Sequence, residues 1–117
     1  MNYDLEERTA KFGENMIDFV KSLNNDYILK PLISQIVRSS TSIGANYMEA
    51  NQASSKKDFR NKIQISRKES NETKHWLRMI AKASPSDSLK CRELWKEAHA
   101  LTLIFSKISK SSAEDTK

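Results

Sequence analysis

The sequence predicts an all-α protein, an antiparallel up-down-up-down four-helix bundle, on three observations. Only two glycines and two prolines interrupt 117 residues, in which Ala, Leu, Ile, Lys and Glu are plentiful, a composition that favours helix. Apolar residues recur at i, i+3, i+4 and i+7 through four windows of about 20 residues, the period of one helix face. Short polar turn signals separate those windows, and short turns join antiparallel neighbours. A chain of this length supports one core and has no room for a second.

The first helix is expected from about Asp4 to Leu23, with Leu5, Phe12, Met16, Phe19, Val20 and Leu23 as its stripe and Gly13 as a tolerated weak point. Asn24-Asn25-Asp26 is a turn signal. Asp26 can cap the second helix and Pro31 fits its first turn. That helix continues to about Asn51, with Leu29, Leu32, Ile33, Ile36, Val37, Ser40, Ile43, Gly44 and Tyr47 along one face.

A polar junction, Gln52 to Lys57, leads into the third helix, which starts at Ser54-Ser55 or Asp58 and runs to Ala83. Its stripe is Phe59, Ile63, Ser66, Ser70, Thr73, Leu77 and Ile80; Ile65, Glu69, Glu72, Trp76 and Met79 form a neighbouring one. Both are apolar at the ends and polar in the middle. This pattern predicts close packing through small side chains, with a charged network buried or half-buried between helices two and three. On that reading Gly44→Leu forces these two helices apart.

Ser84-Pro85-Ser86-Asp87 stops the third helix and caps the fourth, which carries Cys91, Leu94, Trp95, Ala98, Leu101, Thr102, Phe105 and Ile108. The bundle is assigned to residues 1–110, and 111–117 is expected to be a disordered tail. Leu103 and Ile104, and Ile17 and Val20 on the first helix, exceed what one face buries, which marks either an association surface or a wide core stripe.

Charge is unevenly placed. Residues 1–30 hold four basic and six acidic residues, whereas 56–82 hold nine basic and three acidic. The net charge of +5 therefore sits on the third helix, a localised field to which anionic partners respond. One cysteine cannot form an internal disulfide, which fits a reducing compartment. The acidic start, MNYDLEERTAKF, has no apolar run of a signal peptide, and no stretch approaches the ~20 apolar residues of a membrane span. A cytoplasmic, soluble protein is expected.

Candidate chemistry is sparse. Glu72-x-x-His75 is the one metal-like spacing, but a di-iron bundle needs a second such motif and two further glutamates. His99 has no acid at the right offset. No Gly-rich phosphate loop or nucleophile elbow is present. The expectation is no enzyme, no metal and no cofactor. Arg38, Asn46, Glu49, Lys68, Glu69 and Glu72 read as a polar network fixing helix register or a subunit interface. Inward charges need partners, because an unpaired buried one costs several kcal/mol. In particular, Arg38 is expected near a helix-three carboxylate and Glu49 near the basic start of helix three.

Lys56, Lys57, Arg60, Lys62, Arg67, Lys74 and Arg78, with Lys82, form the strongest functional signal. Arg60, Arg67, Lys74 and Arg78 recur at seven and four residues and share a face. Such stripes bind phosphate backbones with release of counterions. No aromatic interleaving of the kind that stacks bases accompanies these residues, which predicts weakly sequence-specific, salt-dependent binding.

The ordered set Arg38-Ser39-Ser40, Ser42-Ile43-Gly44-Ala45-Asn46, Glu49-Ala50, Ser55-Lys56-Lys57-Asp58-Phe59, Lys68-Glu69, Glu72-Thr73 and Trp76-Leu77 resembles the four-helix-bundle family encoded in intervening sequences of bacterial 23S ribosomal RNA genes. It is equally similar to that family's relatives, the accessory variability determinants of diversity-generating retroelements. The resemblance covers about a third of the chain and implies the bundle fold and a homo-oligomer, a ring of five. Its retroelement branch implies RNA binding beside a reverse transcriptase. The expected function is a non-enzymatic oligomeric scaffold that binds RNA or DNA through the basic face. The alternative is a protein–protein adaptor that binds no nucleic acid.

Overall fold

The computed structural model describes residues 3–115. Within them lie four helices, α1 (Tyr3–Lys21), α2 (Leu29–Asn51), α3 (Lys56–Ala83) and α4 (Ser88–Asp115), with a 3-10 turn at Pro85–Asp87. Each boundary has a local cause. Asp26 Oδ1 accepts from the backbone N–H groups of Ile28 and Leu29, at 3.0 and 2.8 Å, and so caps the start of α2. Ser55 caps α3, its hydroxyl accepting from the Asp58 N–H at 3.0 Å; such a cap stabilises by about 1 kcal/mol. At the next corner Ser84 donates its hydroxyl to Asp87 Oδ2 at 2.6 Å, and Pro85 opens the 3-10 turn.

Cross-helix pairs define the topology. Going down the list Ser39–Thr73, Ile43–Ser66 and Glu49–Lys62, numbers rise on α2 as they fall on α3. Lys74–His99, Ser70–Thr102 and Gln64–Ser109 repeat this between α3 and α4. The order is the antiparallel up-down-up-down bundle. Its core is the expected set of stripes, from Phe12, Met16 and Phe19 through Ile36, Ile43 and Tyr47 to Ile63, Leu77, Leu101 and Phe105, all buried.

The four sides are unequal. α2–α3 and α3–α4 are the intimate seams, and α1 meets α4 only lightly. Small side chains explain the intimacy, because interaxial distance is set by what stands at the contact. Ser39, Ser40, Ser66, Ser70 and Thr73 are buried in these seams, with Ala98 and Thr102 on α4. Their hydroxyls are satisfied. Thr73 donates to the Glu69 carbonyl at 2.8 Å and, having one proton, accepts from Ser39 at 2.8 Å. Ser66 donates across to the Ile43 carbonyl at 2.9 Å, and Ser70 and Thr102 bond each other at 2.8 Å.

Two expectations change. Gly44 faces α1, not α3: a Cβ there would lie 3.1 Å from Thr9 Oγ1 and 3.3 Å from Thr9 Cβ. The α2–α3 seam is held by Ser39 and Ile43, one position back on the helical wheel. The charged network expected between α2 and α3 is present, with Lys62, Glu69 and Glu72 half-buried at the rim of an interior of hydroxyls. Finally, α4 continues to Asp115, through most of the segment expected as a disordered tail. Ser109 is buried and accepts from Gln64 Nε2 at 2.6 Å. Residues 116 and 117 of that segment lie outside the described residues.

Candidate nucleic-acid interface

α3 sends its charged residues in two directions, as its two stripes require. Toward α2, Arg38 Nη1 donates to both Glu69 oxygens, at 3.2 and 3.3 Å, and its Nη2 donates to Glu72 Oε1. Glu72 also accepts from Trp76 Nε1 at 3.3 Å. The Glu69 side chain is 13 % exposed and that of Arg38 47 % exposed, so this cluster is a rim feature whose guanidinium reaches water. Lys62 donates to Glu49 Oε1 at 2.7 Å, which holds its pKa above the ordinary value.

The grouping made from sequence divides here. Arg38, Glu49, Glu69 and Glu72 form the α2–α3 rim. Asn46 instead donates within its own helix, to the Ser42 carbonyl at 2.9 Å. Lys68 is exposed and joins no cross-helix pair among the described residues. Lys62 faces α2 and is neutralised by Glu49, so it leaves the basic stripe. His75 packs edge-on against Trp76 and makes no bond to Glu72 among the described residues.

The remaining cations flank α4. Arg60, Arg67, Lys74 and Arg78 lie on the side of α3 that also carries Gln64, whose partner is Ser109. Lys56, Lys57, Arg67, Arg78 and Lys82 are exposed, and Arg60 and Lys74 are half-buried. Arg60 Nη1 is buried with no hydrogen-bond partner among the described residues. Three carboxylates point elsewhere, Glu69 and Glu72 to Arg38 and Glu97 of α4 to Arg8 of α1, whereas Asp58 stands beside Lys57 in the first turn of α3. The Arg8–Glu97 pair is bidentate, with Nε and Nη2 of Arg8 donating at 2.7 and 2.8 Å. Partnering by Glu97 raises the Arg8 pKa.

One sequence expectation is corrected here. Aromatic rings do stand among these cations, contributed by α4. Trp95 stacks on His99 with ring centroids 5.0 Å apart and planes 16° apart. Lys74 Nζ lies 3.0 Å from His99 Nδ1 and 5.3 Å from the centre of the Trp95 ring. An ammonium only donates, so Nδ1 accepts and the imidazole proton sits on Nε2. Beside them a groove of about 430 Å³ runs between α3 and α4, lined by Leu77, Arg78, Ala81, Ser88, Cys91, Arg92, Trp95 and Lys96. The pairing was illegible in the sequence because it joins positions some twenty residues apart across a corner. Trp95 itself stood on the predicted core stripe, yet its side is 39 % exposed.

Cys91 is buried, and burial, with Asp87 adding a smaller effect, pushes its thiol pKa up to about 11. No group of three or more His, Cys, Asp or Glu that could hold a metal ion occurs among the described residues. None of the helices described is long and apolar enough to cross a membrane.

Comparison with known proteins agrees with this architecture. The family model described as 23S rRNA-intervening sequence protein matches residues 2–107. A crystal structure of a protein with unknown function, from the S23 ribosomal protein family of Bacteroides thetaiotaomicron VPI-5482, superposes with a TM-score of 0.81 at 30 % identity. The match covers 90 % of this chain and 97 % of that one. No protein of curated function matches. With nearly its whole length matched by the family model and the bundle reproduced in a solved relative, the chain belongs to the 23S rRNA-intervening sequence protein family.

Proposed function

We propose that the chain is a non-enzymatic scaffold that binds nucleic acid through the outer face of α3 and its seam with α4. The observation that carries this reading is the sorting of charge. Two of the three carboxylates of α3, Glu69 and Glu72, are drawn to the α2 rim by Arg38, and Lys56, Lys57, Arg60, Arg67, Lys74, Arg78 and Lys82 remain as a row of cations on the other side. A row of unneutralised cations along a helix of 28 residues, about 42 Å long, tracks a phosphate backbone. Binding of that kind loses affinity steeply with salt, with a slope of about −0.7 per phosphate contact on single strands.

Self-association belongs to the same reading. Ile17 is 41 % exposed and Leu103 57 % exposed, and Ile17 lines a groove between α1 and α2 with Met48, Glu6, Glu7 and Glu14. These apolar positions on α1 and α4 lie apart from the basic face of α3, so association through them leaves the cation row open. A ring of five is what the family resemblance suggests. A reverse transcriptase is the partner that its retroelement branch suggests.

The test is titration of labelled RNA and DNA with the purified protein across a salt series, with mass in solution measured alongside. The expected result is an oligomer whose affinity falls steeply with salt and is lost in the Lys56→Glu, Lys57→Glu, Arg60→Glu triple variant. An oligomer that ignores nucleic acid at low salt overturns the reading in favour of the protein adaptor.

A further inference from the structure

We propose that the groove at Trp95 takes the base of an unpaired nucleotide, with Arg78, Arg92 and Lys96 holding the flanking phosphates. This deepens the nucleic-acid reading above and rests on it. It assigns the preferred ligand as single-stranded rather than duplex.

The lining carries the inference. Three cationic side chains and an indole converge on one groove, and no carboxylate lines it. Cys91 adds no negative charge, being buried and protonated at neutral pH. The floor is apolar, from Leu77 and Ala81, with the Ser88 hydroxyl at the same end. A volume of about 430 Å³ falls within the range of about 300–1,000 Å³ that small ligands occupy.

Trp95 is prepared for stacking. Its partners His99 and Lys74 are 3.0 Å from each other, too close to flank both faces of the indole, so they support it from one side. Locked there, the ring loses little freedom when a base stacks on it. Stacked aromatic platforms beside a cationic track are how sequence-tolerant single-strand binders hold successive bases. Continuity supplies the track: Arg78 belongs both to the groove and to the α3 row of Arg60, Arg67 and Lys74. A duplex keeps its bases stacked inside, so its phosphates reach the row but its bases do not reach Trp95.

The test uses full-length protein, an unstructured labelled RNA of about 12 nucleotides, and the same sequence as a duplex, at fixed salt. Trp95→Ala is expected to weaken single-strand binding about 5- to 100-fold and to leave duplex binding within about two-fold. Trp95→Phe is expected to keep most of the single-strand affinity. A second readout removes the ambiguity of a damaged fold. The chain has two tryptophans, so in a Trp76→Phe background the emission reports Trp95 alone, and single-stranded RNA is expected to quench it. No quenching, or equal losses for single strand and duplex in Trp95→Ala, overturns the groove assignment while the basic-face reading stands. Failure of the unmodified protein to bind either RNA overturns both.

Discussion

At Gly44 the local sequence pattern and the three-dimensional packing part ways. The stripe through Ile36, Ile43 and Tyr47 identifies the inward side of α2, but it does not say which neighbour each flank meets. Gly44 stands on the α1 flank, where a Cβ would meet Thr9 at 3.1 Å. Gly44→Leu is therefore expected to push α1 from α2 and to cost about 1–3 kcal/mol through overpacking. Shrinking the obstruction with Thr9→Ala in the same chain is expected to return part of that loss. Thermal melts of the single and double variants check it, and no relief from Thr9→Ala would place the clash elsewhere. Cys91 offers a second residue-scale test. Its folded-state pKa of about 11, against 9.0 for a free thiol, means that the protonated form is favoured by folding. That contribution is complete below pH 9 and is lost as pH rises from 9 toward 11. Native protein at pH 8 is expected to react with a thiol reagent far more slowly than unfolded protein, and equal rates would contradict the burial.

At the scale of the element, inward stripes and helix bounds, the end of α4 excepted, were legible because they depend on local periodicity and caps. Asp26, Ser55 and Ser84-Pro85 each act within four residues of where they stand. Partner choice was legible only where helical phase left one option. The α2–α3 antiparallel pairing brings Arg38 to Glu69 and Glu72, and Glu49 to Lys62, as the order of small and charged residues implied. The Arg8–Glu97 pair joins residues 89 apart and leaves no local trace. It is also the main polar tie across the loosest side of the bundle. Both side chains are partly exposed, 44 % and 33 %, so a double-mutant cycle is expected to give about 0.2–1 kcal/mol, falling with added salt. The hydroxyl seams hold more. Thr73→Val keeps the shape but removes the acceptor of Ser39 and the bond to the Glu69 carbonyl, a loss of about 1–3 kcal/mol. A denaturant midpoint unchanged by Thr73→Val would mean that these buried hydroxyls do not hold α2 to α3.

For the whole molecule, one property unites fold and proposed function: the bundle sorts its charge by face. At the α2–α3 rim Arg38 pairs with Glu69 and Glu72, and Lys62 with Glu49. Across α1 and α4, Arg8 pairs with Glu97. The cations on the outer side of α3 and at the Trp95 groove of α4 form no ion pair among the described residues. Sequence counting located the basic helix but could not subtract Lys62 or add Trp95 and His99, because both corrections come from other helices. The most direct measurement is the salt dependence of single-stranded RNA affinity for the unmodified protein and for Arg67→Gln, Arg78→Gln. Both residues are exposed, so the double variant is expected to remain folded by circular dichroism. A steep slope, made shallower by about 0.7 for each cation removed, is the predicted result. A slope near zero, or one untouched by removing both arginines, would contradict binding through this face.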